Sequence, residues 1–398
     1  MTLDESDESD EFDALEALRA AARYLAYKKA NEASSIQEPD DADCAVCQCK
    51  CSKDSEEHKI KKDAEQYPAL ADPQRIPFKS FMSKMRCKLL SAFTWLLAVA
   101  PLCIKGASLE KVTSDFGPNP RNVGFYIYVP DKLAAKAPIL VNPHWCHGDA
   151  RACCSGSQYA TLASKYGFIV IYPDSPNTVD KCWDVSSNAS LTHDAGGDSL
   201  GIVSMVRWTL DKYQGDPKRV FVTGVSSGAM MTSLLLGAYP DIFAAGSAFA
   251  GVPYGCFAGD GYGVWSDACA TGKVKKTGAE WAAMVKAGYP GYTGWRPKLQ
   301  IFHGTKDEVL NYTNFEEEIK EWVAVFGFSE TPTSTTPNTP VTGWTKYVYG
   351  SNDWFEAYSA AGVSHNIQNQ EATAMDWFDL TCTGDHCFKW GQGGPTAQ

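Results

Sequence analysis

The chain has 398 residues, of which 44% are hydrophobic and 21% are charged, as in an ordinary globular protein. This composition argues against a chain that is disordered throughout, fibrous or polytopic in a membrane. The formal net charge of −11 provides no strongly basic surface to neutralise phosphates, so nucleic acid is not expected to be a partner.

The N-terminal residues differ from the rest. Residues 1–80 hold 19 acidic and 11 basic side chains and so carry −8 of the net charge of −11. The self-repelling acidic run near the start favours a disordered tail over residues 1–81. Four close cysteines at 44, 47, 49 and 51 could bind a soft metal. They lack the second, separated cysteine pair of a structural zinc site, so a disordered tail is favoured over a metal site.

Residues 82–108 have the layout of a secretory signal peptide. A basic start precedes the apolar stretch from Leu89 to Ile104, and small residues follow it. The stretch is short for a spanning helix, which needs about 20 residues. We favour translation from Met82 or Met85, with residues 1–81 an over-extended gene model. The alternative is a signal anchor with an acidic cytoplasmic tail.

Residues 109–382 are predicted to form one catalytic domain, followed by a short Gly-rich tail, 383–398. Short apolar runs alternate with helical patterns, which indicates an α/β fold with a mostly parallel central sheet and helices on both faces. The predicted strands are Val123–Val129, Pro138–Asn142, Phe168–Tyr172, Arg219–Thr223, Leu299–Phe302, Trp344–Tyr349 and Trp354–Ser359. The predicted helices are Gln158–Tyr166, Asp198–Tyr213, Ser227–Ala238 and Phe315–Phe326. The Ser/Thr/Pro-rich segment 329–342 is predicted to be a surface loop.

Cysteine usage in the predicted domain favours export. The region after residue 108 contains an even number of cysteines, several of them close together, as expected of disulfides in an oxidising compartment. Cys256 with Cys269 is the leading pair, and the other connections are left open. The sequons at Asn188 and Asn311 predict glycosylation of a secreted protein. We therefore expect an extracellular enzyme, without stable membrane association, acting as a monomer.

The sequence Gly224-Val225-Ser226-Ser227-Gly228 lies between a predicted strand and a predicted helix. GxSxG in that context predicts a nucleophile elbow, in which a sharp turn lifts the serine hydroxyl above the sheet. Ser226 is therefore the predicted nucleophile. The helix that begins beneath it would favour developing negative charge.

A serine nucleophile needs a base, and the base needs an orienting acid. His365 is the predicted base, because it lies in a loop after the last predicted strand. Asp307 is the predicted acid, because it closely follows the strand Leu299–Phe302. The less favoured candidates are His303, His386, Asp353 and Asp376.

The oxyanion hole is predicted to pair the amide of Ser227 with that of Cys146, in the loop after an early strand. A metal site at His144, Cys146 and His147 is disfavoured, since no further ligand stands at suitable spacing; no metal and no cofactor are expected. Aromatic residues in the loops supply the candidate substrate contacts, which are Trp183, Tyr262 and Trp265.

The ordered motifs resemble those of secreted fungal acetyl xylan esterases, a family shared with feruloyl esterases and polyhydroxybutyrate depolymerases. They are HWCHGDA, FIVIYPDSP, CWDVSS, LTHDAGGDSLGI, VFVTGVSSGAMMT, YPDIFAA, YPGYTGWRPK, HGTKDEV and GVSHN, which lie between about Val112 and Leu380. The resemblance implies an α/β-hydrolase fold, no metal and removal of acetyl groups from xylan. It also implies the same triad and oxyanion donors. The segment from Cys387 resembles a fragment of a cellulose-binding module, too short to fold alone.

The leading hypothesis is therefore a secreted serine esterase acting on acetylated xylan or related plant cell-wall esters. A feruloyl esterase, which needs a deeper cleft that accepts an aromatic acyl group, is the first alternative. A polyester depolymerase would be expected to expose an apolar polymer-binding face. An inactive carbohydrate-binding or membrane-anchored protein is the alternative from another class, and the complete triad argues against it.

Overall fold

A computed structural model describes residues 106–351 and 353–393. The predictions for the acidic tail, and for all but the last residues of the signal-like segment, lie outside the described residues. The strands are β1 (Leu109–Lys111), β2 (Gly124–Tyr128), β3 (Ile139–Val141), β4 (Ile169–Asp174), β5 (Val220–Val225), β6 (Ala245–Phe249), β7 (Lys298–Gly304), β8 (Ser334–Pro337), β9 (Trp344–Tyr349) and β10 (Phe355–Ala360). The helices are α1 (Ala150–Ser155), α2 (Tyr159–Tyr166), α3 (Asn188–Leu191), α4 (Gly197–Tyr213), α5 (Ser227–Ala238), α6 (Asp267–Ala270), α7 (Gly278–Ala287), α8 (Thr313–Phe326) and α9 (Glu371–Trp377).

The strands form one ten-stranded sheet in the order β1-β2-β4-β3-β5-β6-β7-β10-β9-β8. The central strands from β4 to β10 in that order are parallel, with pairs such as Ile139 opposite Ile169 and Phe355 opposite Leu299. Antiparallel strands lie at both edges. The prediction of a mostly parallel sheet is confirmed.

The sheet is covered on both faces, and the side chains along each central strand point alternately into two apolar layers. Ile139 and Val141 belong to one buried cluster, whereas Leu140 between them belongs to another. Helices α4, α5, α7 and α8 supply the larger layer, and α1, α2 and α9 the smaller one. Burial on both faces explains why these strands are continuous apolar runs.

Several elements were not predicted, among them strand β6 and helix α7. Strand β6 consists of the sequence AGSAF, whose small residues carry little strand propensity. It forms because β5 and β7 flank it and every one of its residues is buried. Helix α7 did have a local signal, a capping box between Thr277 and Glu280. The predicted surface loop 329–342 is largely exposed and contains the short edge strand β8.

Among the described residues, six cysteines form three disulfides. The predicted pair Cys256–Cys269 is confirmed, and Cys146–Cys182 and Cys382–Cys387 accompany it. The last pair closes a short loop at the start of the C-terminal segment, and this segment packs on the domain. The Trp390 indole donates to the carbonyl of Pro240 at 2.7 Å, and Phe388 contacts both apolar layers. The compact unit therefore continues through the described residues beyond the predicted boundary at 382.

Among the helices of residues 106–351 and 353–393, none combines the length and the apolar character required to cross a bilayer.

Candidate active site

Ser226 lies at the sharp turn between β5 and α5. Its backbone has φ 56° and ψ −120°, in the left-handed half of the map that residues other than glycine rarely adopt. A Cβ at Gly224 would lie 2.5 Å from the carbonyl carbon of Gly228, and a Cβ at Gly228 would lie 2.2 Å from the carbonyl oxygen of Pro143. Both glycines are therefore required by close backbone contact, as the nucleophile-elbow prediction supposed.

The three residues predicted as a triad lie together in the folded chain. The Nε2 atom of His365 is 2.8 Å from the Oγ of Ser226, and its Nδ1 is 2.8 Å from the Oδ2 of Asp307. They lie beyond the carboxyl ends of β5, β7 and β10, where parallel α/β sheets place their ligand sites. His365 and Asp307 are buried, whereas Ser226 is half-buried and so accessible to a substrate.

The carboxylate of Asp307 is held by several donors. Its Oδ1 accepts hydrogen bonds from the amides of Val309 at 2.9 Å and Leu310 at 2.7 Å. Burial acts to raise the pKa of Asp307, but hydrogen bonds from His303 and His365 outweigh it and hold that pKa well below its ordinary value. Asp307 is therefore a carboxylate at neutral pH and accepts a hydrogen bond from the Nδ1–H group of His365.

The loop that carries His365 is fixed to the loop after β7. The amide of His365 donates to the carboxylate of Glu308 at 3.1 Å. The amide of Lys306 donates to the carbonyl of Val363 at 2.9 Å. Sequence reasoning missed Glu308, because its role depends on a contact with a residue 57 positions away. Its adjacency to the predicted acid was the only signal available.

The loop after β3 contacts the first turn of α5. Pro143 and His144 present their carbonyl oxygens to Gly228 there. The disulfide Cys146–Cys182 joins this loop to the segment after β4. Cys146 and Ser227, the predicted oxyanion donors, thus lie on segments that contact one another. Because the Cys146 sulfur is in a disulfide, the disfavoured metal site would lack its thiolate.

The predicted substrate contact Trp183 lies in the core, where only 1% of it is exposed. Its indole donates to the carbonyl of His144 at 2.7 Å, and its amide donates to the hydroxyl of Ser227 at 2.8 Å. A buried ring offers no face to a sugar, so stacking of substrate on Trp183 does not fit this placement. Its position instead supports the residue that follows the nucleophile.

Tyr262 is half-buried and packed against other protein groups. Its hydroxyl lies 3.3 Å from both carboxyl oxygens of Asp198, and the guanidinium of Arg121 lies 4.1 Å from its ring centre. Burial raises the pKa of Asp198 to about 7, and the neighbouring carboxylate of Asp184 acts in the same direction. Tyr262 therefore anchors its loop by these contacts.

Trp265 is the most exposed of the three predicted aromatic contacts, at 44%. Its indole donates to Asp267 at 3.0 Å, and its ring meets Phe257 edge-on at 5.1 Å. The same loop is tied to the segment after Trp183, because the amide of Val264 donates to the hydroxyl of Ser186 at 2.9 Å. Trp265 is thus an oriented, accessible ring on a loop anchored close to the nucleophile's helix.

The asparagines of the two sequons are exposed. Asn188 begins helix α3, and Asn311 accepts a hydrogen bond from the amide of Thr313 at 3.0 Å. Glycosylation at these positions stays a prediction.

Comparison with known proteins identifies a matching family model and several similar proteins. The family model of the esterase PHB depolymerase family matches residues 123–337, more than half of the chain. A probable acetylxylan esterase A from Aspergillus flavus is 49% identical over 280 residues, which cover 70% of this chain and 90% of that protein. Feruloyl esterase B from Talaromyces funiculosus is 45% identical over 300 residues, which cover 75% of this chain and 83% of that protein.

A solved structure is also similar. The acetyl xylan esterase from Aspergillus awamori shares 45% identity and a TM-score of 0.66, and the match covers 69% of this chain and 99% of that protein. Together with the mostly parallel sheet, this similarity supports the predicted α/β-hydrolase fold.

The depressed pKa of Asp307 predicts a pH-dependent contribution to stability. An acid whose pKa is lower in the folded state adds stability above its unfolded value of about 3.9, and loses it as the pH falls. Asp307→Asn removes this titration. Between about pH 6 and about pH 3, the wild type should therefore lose roughly 1 kcal/mol more unfolding free energy than Asp307→Asn in urea denaturation.

Asp385→Asn, which changes an exposed carboxyl group, is the control and should follow the wild-type pH dependence. Equal losses for wild type and Asp307→Asn would contradict the hydrogen-bonded state of this carboxylate.

Proposed function

The chain belongs to the esterase PHB depolymerase family, and on that premise we propose that it is a serine carboxylesterase that deacetylates acetylated xylan. One observation carries the catalytic assignment, namely the hydrogen-bonded chain from Ser226 through His365 to Asp307, with 2.8 Å at each step. A serine, an imidazole and a carboxylate in that order form the hydrogen-bond network of nucleophilic acyl transfer.

In the first half of the reaction, Nε2 of His365 removes the proton of Ser226 as Oγ attacks the acetyl carbonyl carbon. Asp307 accepts a hydrogen bond from the Nδ1–H group of His365, which fixes the tautomer that leaves Nε2 free to act as a base. The buried carboxylate then stabilises the imidazolium that forms.

The tetrahedral intermediate carries negative charge on the former carbonyl oxygen. We assign its stabilisation to the amides of Cys146 and Ser227. The second of these is at the start of α5, where unpaired amides and the helix dipole favour an anion. The hydroxyl of Ser227 accepts a hydrogen bond from the amide of Trp183. The disulfide between Cys146 and Cys182 restrains the loop that carries Cys146. Both donors are therefore held before the charge develops.

The intermediate collapses when the sugar oxygen leaves with the proton from His365. Water, deprotonated by the same imidazole, then attacks the acetyl-serine, and acetate is released as Ser226 regains its proton. Every proton transfer in the cycle passes through Nε2 of His365.

Replacement of the nucleophile should abolish turnover. Ser226→Ala removes Oγ, so we expect kcat for acetate release to fall by several orders of magnitude, with the residual rate due to binding and the oxyanion donors. Acetate release from acetylated xylan and covalent labelling by a fluorophosphonate are the two measurements. Ser329→Ala, on an exposed loop, should behave as wild type. Near-normal activity in Ser226→Ala would refute the assignment.

Acetyl substrates are favoured over feruloyl substrates. Several relatives that are 49% identical are named acetylxylan esterases, whereas the feruloyl esterases are 44–45% identical. Trp265 also offers a large exposed ring on a loop that is tied to the segment after Trp183, and we propose that this ring narrows the acyl side of the cleft. The complete triad argues against an inactive carbohydrate-binding protein. The family model is named for PHB depolymerase, but the relatives reported above are named acetylxylan and feruloyl esterases.

If Trp265 narrows the acyl pocket, its removal should favour larger acyl groups. For Trp265→Ala we expect the ratio of the rate on methyl ferulate to that on acetylated xylan to rise by about 10-fold. Trp208→Ala, a half-buried tryptophan on helix α4, is the control and should leave this ratio unchanged. An unchanged ratio in Trp265→Ala would remove this residue from the specificity argument.

Secretion is proposed as well. The disulfides support it, because they persist in oxidising compartments, and the exposed sequon asparagines are accessible for glycosylation. One chain supplies the whole triad, which is compatible with the expected monomer. N-terminal sequencing of protein from the culture medium should give a start near Leu109. A cell-bound protein that retains Cys44 would instead support the signal anchor.

A further inference from the structure

A second histidine lies behind the triad. His303, at the end of β7, is fully buried. Its Nε2 is 2.8 Å from the carbonyl oxygen of Leu310, and a carbonyl only accepts, so this nitrogen carries the proton. The same nitrogen is 3.2 Å from Oδ2 of Asp307. That is also the oxygen reached by Nδ1 of His365, so one carboxylate oxygen lies between two imidazoles.

The position of the His303 ring is fixed from several sides. The rings of Tyr312 and Phe315 lie 6.0 and 6.2 Å from it, at steep angles. Glu318 on helix α8 is the second carboxyl group that interacts with it electrostatically, and burial raises the pKa of Glu318 to about 7. The ionisable groups around His303 are therefore Asp307, Glu318 and Tyr312. Of these three groups, it is Asp307, the triad acid, whose carboxylate makes the polar contact with the His303 ring described above.

We propose that His303 is a positioning residue for the triad, which acts through Asp307. Its Nε2–H group contacts both the Leu310 carbonyl and Oδ2 of Asp307, at the two ends of one turn. Through this contact it holds Oδ2 of Asp307 toward His365. It also takes up part of the carboxylate charge, which sets how strongly Asp307 stabilises the His365 imidazolium. This inference rests on the proposed esterase function, because it assigns a role within the same triad.

The test compares His303→Leu, which removes the donor, with His303→Gln, whose side-chain amide can place a donor near the original Nε2. We expect kcat of His303→Leu to fall by up to about 10²-fold with KM little changed, because the defect lies in orientation of the triad. The acid limb of its kcat/KM profile should move to higher pH. A carboxylate that has lost one donor stabilises the His365 imidazolium more strongly, so His365 becomes neutral later in the titration.

His303→Gln should restore both kcat and the acid limb toward wild type. His193→Gln is the matched control. It changes a largely buried histidine that bonds the carbonyl of Ala238 and stacks on Tyr289, away from the triad. A His303→Leu profile that coincides with wild type, or a His303→Gln variant no more active than His303→Leu, would overturn the proposal.

The rate of fluorophosphonate labelling separates this inference from the proposed function, because labelling needs an activated serine but no acetyl ester. Labelling of Ser226 should slow in His303→Leu and recover in His303→Gln. Turnover retained by Ser226→Ala would defeat the proposed function itself. Normal labelling in His303→Leu, together with loss of labelling in Ser226→Ala, would defeat only the role of His303.

Discussion

The close approach of backbone at the turn between β5 and α5 is the constraint on which the site depends. Only hydrogen atoms at Gly224 and Gly228 allow the strand, the helix and the loop of Pro143 to meet. That contact holds Ser226 in a backbone conformation that is costly for a serine. It also brings the loop of Cys146 against the helix N-terminus. The nucleophile and the proposed oxyanion donors are thus positioned by one packing arrangement.

The acid side of the site follows a different physical rule, because a buried carboxylate must be compensated by donors. Asp307 meets this requirement with two backbone amides on one oxygen and two imidazoles facing the other. The same set of donors keeps the carboxylate ionised and directs Oδ2 toward His365. Burial, charge and orientation are therefore coupled at this one residue.

The sequence predicted the parts of the fold whose signals are local. Most strand and helix ends in the catalytic domain were placed to within about two residues, and α5 and β9 were placed at their observed bounds. Strand β6 was missed, because its small residues form a strand only between two neighbours. Trp183 was a candidate substrate contact only because it is an aromatic residue in a predicted loop. In the folded chain, the groups packed around it leave 1% of its surface exposed. Burial depends on partners that lie far away in the chain, so no local pattern could give it.

The sequence by itself determined the chemistry, because a glycine-flanked serine after a strand, and an acid and a histidine in the expected order, have few alternative uses. The tertiary structure alone decided which groups surround that chemistry. It placed His303 against Asp307, Glu308 against the amide of His365, and the amide of Trp183 on Ser227. Two of these contacts join residues 57 and 44 positions apart. The third depends on a turn whose geometry is set by the hydrogen bonds around it. Such contacts arise from packing of the sheet and its loops, which linear order does not encode locally.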